Sequence, residues 1–398
     1  MKFNYKLIII LLFFLLSAYA MYSITFVLVP VSLYFHVPVS VVTLAITLSW
    51  IGGAIGGFIF GMVADKIGRK RAIIISVIIY SLGTIFAGLI NSVYELYFLW
   101  FLVGMGVNGE NGISYALVSE FENTMHRGMT GGFMQGLYAI GSLLGAFSAY
   151  IIIEVLSLNF RIFFIVIGVI SIISLILYNK IPESSIWLKY KNSSNGNYKI
   201  EIGKIFTGRV RNITIFGSLI SLGSFLFIIP LFSLAPTELE NLNVYNYYFI
   251  IIIGTFAATI FYTFSGYMYE RKNAKDVMYP FAAASLIFSL IFILINAHGG
   301  LRFLNELFLI LLFMSSAFFS FFGIWISSLY PPNIRASGAN FTLLVGRFFG
   351  GGFGPIITVI LGKNLGVNMG IVLFISSIIV LVGLVFIRPG SMEKINNT

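Results

Sequence analysis

Apolar residues run along the chain in long blocks, at about 7–30, 41–63, 72–91, 94–118, 128–153, 160–179, 212–235, 246–269, 278–297, 304–329, 336–362 and 368–388. Short clusters of Gly, Pro, Asn and charged residues separate them. A helix that crosses a bilayer needs about 20 consecutive apolar residues, so each block is long enough for one crossing. The blocks lack the strict alternation of barrel strands, and lipid offers an unpaired backbone group no partner, so the pattern predicts helices. Twelve blocks predict an all-α polytopic membrane protein with twelve transmembrane helices. At the start, Lys2 and Lys6 precede an apolar stretch in which Ser17-Ala18-Tyr19-Ala20 imitates a signal cleavage site. That stretch runs on to Pro30, longer than a typical signal core, so the block is expected to stay as the first span.

Composition narrows the function. Of 398 residues, 59% are hydrophobic and 10% charged, against about 25% charged in a soluble domain, which excludes a water-soluble globule. Without cysteine there is no disulfide, thiolate nucleophile or sulfur-ligated metal. The formal net charge of +10 would suit nucleic acid, but the bases lie between the apolar blocks. With the N-terminus in the cytoplasm, 20 of the 24 Lys and Arg residues fall in cytoplasmic segments. Arg161, Arg302 and Lys363 fall outside, and Arg347 lies within a span. Because bases collect on the cytoplasmic side, both termini are expected there, in the cell membrane and with no nucleic-acid partner. The one long polar stretch, 180–211, carries seven bases and reads as a cytoplasmic linker between an N-terminal unit at 1–179 and a C-terminal unit at 212–398.

Two echoes connect the units. Gly61-Met62-Val63-Ala64-Asp65-Lys66-Ile67-Gly68-Arg69-Lys70-Arg71 follows the second block, and Gly266-Tyr267-Met268-Tyr269-Glu270-Arg271-Lys272 follows the eighth, 205 residues on. Glu120 to Arg127 and Ser328 to Arg335 repeat at an offset of 208. Two echoes nearly in register imply two pseudo-symmetric six-helix bundles. The Gly-x-x-x-Asp-x-x-Gly-Arg-Lys string resembles the signature loop of the major facilitator superfamily, and Pro182-Glu183-Ser184-Ser185-Ile186-Trp187-Leu188 resembles a string that closes span six in its sugar and metabolite porters. Within that superfamily, Gly104-Met105-Gly106-Val107-Asn108-Gly109-Glu110 and Tyr330 to Gly338, with Gly346-Arg347 and Gly354-Pro355, are similar to the metabolite:proton symporters for sialate or lactate, aromatic acids and niacin. Those relatives carry Asp-Gly-Tyr/Phe-Asp where this chain has Ser17-Ala18-Tyr19-Ala20, an arginine at Trp100 and a glutamate at Ser328. The resemblance implies alternating access, with a cytoplasmic gate built from Gly61, Asp65, Gly68, Arg69, Glu120, Arg127, Glu270 and Arg335. In that gate Asp65 faces the positive end of a helix from the other half and Arg69 pairs locally.

A charge at membrane depth costs on the order of 2.5 to 3.5 kcal/mol unless it faces a cavity or a partner. Only Glu110 and Arg347 lie well inside spans. At 1.5 Å per residue, Glu110 is about 24 Å from the external start of span four and Arg347 about 18 Å from the cytoplasmic start of span eleven, so the two can share a depth. A buried carboxyl group can take and release a proton, and a guanidinium fork fits a carboxylate. Glu110 is therefore the candidate proton carrier and Arg347 the candidate anion ligand, with a fixed ion pair between them as the competing reading. Asn108, Asn111 and Tyr115 form one helical stripe. With Gln135, Tyr138, Tyr19 and Tyr22 they are the candidate solute-lining residues, against plain interhelix hydrogen bonding. The glycines of 52–57 and 350–354 read as close-packing surfaces.

The expected activity is proton symport of a small organic acid anion. The alternatives are a sugar-type porter or uncoupled facilitator, and a non-transporting sensor. No Ser/His/Asp or metal cluster suggests an enzyme, and no Gly-x-x-x-x-Gly-Lys-Ser/Thr loop suggests nucleotide coupling, so no cofactor is expected. The expected partners are solute, protons and the lipid bilayer, with a monomer as the working unit.

Overall fold

The computed structural model describes residues 5–121, 127–180, 202–299, 302–330 and 335–388, with 183 and 188. Among the described residues there is no strand. The N-terminal half holds α1 (Tyr5–Tyr22), α2 (Val39–Ile67), α3 (Arg69–Ala87), α4 (Val93–Phe121), α5 (Arg127–Ala149) and α6 (Phe160–Ile173). The C-terminal half holds α7 (Gly208–Asn241), α8 (Tyr247–Tyr269), α9 (Ala274–Ala297), α10 (Arg302–Ser315), α11 (Arg335–Val345) and α12 (Leu365–Phe386). Among the described residues, eleven helical segments are long and apolar enough to cross a membrane. The twelfth, α4, has 29 residues but is made more polar by Asn108, Glu110 and Asn111. Most of the expected linker lies outside the described residues.

Among the described residues, three blocks expected as single helices are broken in their interior, and two more, 128–153 and 160–179, change winding at Tyr150–Val155 and Ser174–Lys180. In the first, α1 gives way to a tight turn at Ser23–Phe26 and a second helix at Leu28–Phe35. Ser23 Oγ donates to the Ala20 carbonyl at 2.8 Å as the helix ends. Pro30 sits in the first turn of the new helix, where its missing N–H leaves nothing unpaired. In the tenth, a tight turn at Ser316–Phe319 separates α10 from a helix at Phe322–Leu329. In the eleventh, α11 widens into a π-turn at Gly346–Gly351 before a helix at Gly352–Ile360 that contains Pro355. A proline ring clashes with the carbonyl four residues back, and a wider turn ahead of it relieves the clash.

Packing is related between the halves. α1 lies against α5, and α7 lies against the π-turn that continues α11; α3 packs on α6, and α9 on α12. The halves meet along two seams, α5 on α8 and α2 on the Gly352–Ile360 helix. Small residues make the first seam close. A Cβ at Gly132 would stand 2.5 Å from the Tyr262 carbonyl oxygen, one at Gly136 3.0 Å from the Thr259 methyl, and one at Gly128 2.7 Å from the Gly266 carbonyl. Such contacts supply the van der Waals packing that holds helices together where hydrophobic burial cannot. Gly52 and Gly56 do the same between α2 and the backbone of α4 at Phe101 and Met105. Large side chains such as Ile176, Leu33 and Phe98 are exposed on the outside, the arrangement a lipid surround favours.

Candidate transport site

The site begins with the π-turn, which carries Arg347. The guanidinium reaches toward α2, where Nη1 lies 3.0 Å from the place a Cβ on Gly57 would occupy, and that same place is 3.6 Å from the Asn108 carbonyl of α4. A side chain at 57 would displace the charge, so Gly57 serves the arginine rather than the close helix packing expected of it. The Arg347 Nε is buried without a hydrogen-bond partner, and among the described residues the guanidinium makes no ion pair. Its electrostatic neighbours are Tyr138 and Tyr115.

Those tyrosines are held by amides. The Asn111 side-chain N–H donates to the Tyr138 hydroxyl, and the Asn111 Oδ1 accepts from Ser17 Oγ at 3.1 Å. Tyr115 donates to Gln135 Oε1 at 3.1 Å. Phe14 of α1 packs edge-on against both Tyr115 and Tyr138, with ring centres 5.3 Å apart in each case. Gly112 is exposed, with open space where a side chain would stand. The arrangement is one half-buried cation beside two phenols, a carboxamide and aromatic edges, suited to a small anion with an apolar body.

Glu110 is fully buried but points elsewhere. Its Oε1 accepts from Ser114 Oγ, its Oε2 has no partner, and Tyr80 of α3 stands close by. It makes no ion pair with Arg347, so the fixed pair that a shared depth allowed does not form. Consecutive helical residues point about 100° apart, which sends Glu110 into the N-terminal bundle while Asn111 reaches the site.

The other expected lining residues divide. Asn108 donates to the Gly104 carbonyl of its own helix at 3.2 Å and packs on Gly53. Tyr19 pairs with Ser148 Oγ at 2.6 Å, joining α1 to α5. Tyr22 meets Tyr138 edge-on and Phe232 of α7 at a tilt, with ring centres at 6.0 and 5.7 Å. Trp50 meets Phe225 at 5.6 Å, and Tyr150 meets Phe249 at 5.5 Å. Tyr22–Phe232 and Tyr150–Phe249 join the halves around the C-terminal ends of α1 and α5, and Trp50–Phe225 joins them beside the π-turn.

At the opposite ends, Gly68 joins α2 to α3 with φ 102°, a left-handed geometry glycine adopts without strain. Arg69 Nη1 donates to the Ala64 carbonyl at 3.1 Å. The N–H groups of Arg69 and Lys70 donate to Glu183 Oε1 at 2.9 and 3.4 Å. Glu270 Oε1 accepts from the Met129 N–H at 2.9 Å, at the start of α5. Two glutamates thus satisfy helix N-termini, where carboxylates are favoured. Glu183 was quoted in the sequence only as part of a motif; its signal was an acid placed to meet an uncapped helix start. Gly61 has open space around it. The side chains of Asp65, Glu120, Arg127 and Arg335 lie outside the described residues.

With this geometry in place, the sequence profile of the Major Facilitator Superfamily matches residues 9–355. The chain belongs to that family and is a multi-pass membrane transporter of small metabolites. It is 25% identical over 320 residues to the putative niacin/nicotinamide transporter NiaP of Bacillus subtilis (strain 168), covering 77% of this chain and 76% of that one. It is 27% identical over 374 residues to the sialic acid transporter NanX of Escherichia coli (strain K12), covering 89% and 86%. In fold it is similar to a crystal structure of a D-xylose-proton symporter, with a TM-score of 0.79 over 97% of this chain and 98% of that one, at 15% identity.

Proposed function

We propose that this transporter carries a small organic acid anion together with a proton, by rocking two bundles, 1–179 and 212–398, about the site between them. The observation that carries the reading is Arg347, a half-buried residue whose Nε is buried without a hydrogen-bond partner and whose guanidinium has no ion-pair partner among the described residues. Such a charge is costly in a bilayer unless a ligand answers it, and its planar fork matches a carboxylate. Glu110 has no cation bound to it and takes the role of proton carrier. Both termini and the 180–211 linker are cytoplasmic, and Asp65 with Arg69 latches the cytoplasmic ends of the bundles. On that topology the aromatic pairs Tyr22–Phe232 and Tyr150–Phe249 join the halves on the outer side, and the bond from the Met129 N–H to Glu270 joins them on the cytoplasmic side. The niacin and sialic acid of the similar transporters are both carboxylic acids, which supports the anion.

The test is uptake into proteoliposomes under an imposed pH gradient, using labelled niacin, benzoate, sialic acid, nicotinamide and xylose. Accumulation of one or more acids, with neither neutral solute accumulated, is the expected result. Xylose accumulation would make the chain a sugar-type porter, and downhill flux alone would make it a facilitator.

A further inference from the structure

We propose that the groove lined by Ile67, Arg71, Ile74, Ile75 and Leu175 holds one anionic phospholipid, with its phosphate on Arg71 and an acyl chain along the isoleucines. Ile67 is the last residue of α2, and Arg71, Ile74 and Ile75 belong to the first two turns of α3. Leu175 comes from the tail of the sixth span, where Ser174–Lys180 tightens to about three residues per turn beside α3. The groove encloses about 450 Å³, within the roughly 300–1,000 Å³ of small-molecule sites.

Three bases open α3 in a row, and they do different things. The N–H groups of Arg69 and Lys70 donate to Glu183, and the Arg69 side chain turns back to the Ala64 carbonyl. Arg71 stands about 100° further round the helix than Lys70 and lines the groove. It is exposed and, among the described residues, makes no ion pair and no side-chain hydrogen bond. Lys66, one residue before Ile67, and Lys180, at the end of the tail, are exposed as well, and no acid lines the groove.

The order of polarity along the groove suits a phospholipid. Arg71 lies nearer the polar loop, and Ile75 is about 6 Å deeper along α3. A free phosphate here would meet one guanidinium and four hydrocarbon side chains, which leaves most of its oxygens without donors. A partner helix would want small residues at the contact, and the lining holds none. A phospholipid satisfies both parts, because the guanidinium fork matches phosphate oxygens and the chain stays in hydrocarbon. With no acid in the lining to meet a headgroup amine, a net negative headgroup is favoured over a zwitterionic one. On the topology proposed above this end of α3 is cytoplasmic, the side on which basic pockets between spans hold anionic headgroups. All five residues belong to the N-terminal half, so the lipid rides with one bundle and does not bridge the two.

The test is native mass spectrometry of the purified chain in detergent, titrated with phosphatidylglycerol or phosphatidylcholine of the same chains. Photo-crosslinking with a phosphatidylglycerol that carries a diazirine on one chain then locates the site. Phosphatidylglycerol is expected to bind at least about tenfold tighter, with cross-links on peptides that hold Ile74, Ile75 or Leu175. Arg71→Gln should remove most of that preference. Ile75 is 39% exposed, so Ile75→Trp fills the groove without disturbing the core, and it should lose the cross-links while the charge remains. Should Arg71→Gln not fold, Ile75→Trp decides alone. Lys66→Gln combined with Lys180→Gln should keep the cross-links; losing them as fully as Arg71→Gln does would mean diffuse attraction to a basic surface and overturn the site. Equal binding of the two lipids, cross-links elsewhere, displacement by sodium phosphate, or a dimer formed through the groove would each overturn it too. All readings are taken without solute or pH gradient, so this site and the transport reading fail separately.

Discussion

Arg347 and Glu110 differ in what their removal leaves behind. Taking one partner from a buried ion pair strands the other, at about 3–5 kcal/mol. Arg347 has no such partner, so Arg347→Gln is expected to leave the thermal unfolding midpoint unchanged or higher while acid uptake falls at least about tenfold, or 1.4 kcal/mol. Arg347→Lys should weaken binding of acids nearly as much, because the charge stays and the fork goes. Dye-monitored unfolding beside uptake separates the two effects; a midpoint collapse in both variants would mark a structural cation instead. Glu110→Gln should abolish pH-driven accumulation and spare counterflow, and accumulation at the wild-type rate would end its role as carrier. These two residues were legible in the sequence because they are the only deep charges in apolar blocks. Their separation was not legible, since depth follows from counting along two helices whereas direction depends on how each is rotated against its neighbours. Asn108 and Asn111 show the same limit. They share a stripe, yet one bonds its own helix and the other the site.

At the scale of elements, the existence of the spans was plain in the sequence and their interruptions were not. In lipid, a stretch such as 7–30 is equally apolar whether the backbone runs straight or turns at Ser23–Phe26, so hydropathy is blind to the break. Local backbone bonds and Pro30 decide it. The glycines were read as packing surfaces, and most are. Gly132→Leu is expected to force α5 and α8 apart and to abolish transport while the chain still inserts, checked by surface labelling and uptake; full uptake would show that the seam tolerates a side chain. Glu183→Gln removes a charge from the N-terminus of α3, an interaction of about 0.3–1 kcal/mol. A small fall in unfolding midpoint, largest at low salt, is the expected reading.

For the whole molecule, the repeat offsets foretold the relation between halves that packing shows in α1 on α5 and α7 on the π-turn. Which ends are closed was beyond the sequence, because one set of loops serves a transporter in every conformation it takes. The aromatic contact of Tyr22 with Phe232 gives a direct test. The native chain has no cysteine, so the double variant Tyr22→Cys with Phe232→Cys introduces the only thiols. If the halves must part there in each cycle, oxidation should stop transport and a reductant should restore it. Uptake that continues with the bridge confirmed by mass spectrometry would mean that this end stays shut during turnover. Protease access to the 180–211 linker from outside intact cells would overturn the proposed topology.

The π-turn that carries Arg347 holds one more residue than the α-helical turn it replaces. Deleting a single residue from Gly346–Gly351 would let the helix run regularly while the helices on either side kept about the same phase, so the change of direction would fall on the residues of the turn itself. The arginine would keep its charge and roughly its depth, but its reach toward Gly57 would no longer be set by the wider turn. Where the charge points is thus a matter of how the turn is wound, stored in backbone length rather than in residue identity. Two family members can align an arginine at this position and still aim it differently, if only one of them keeps the extra residue in its turn.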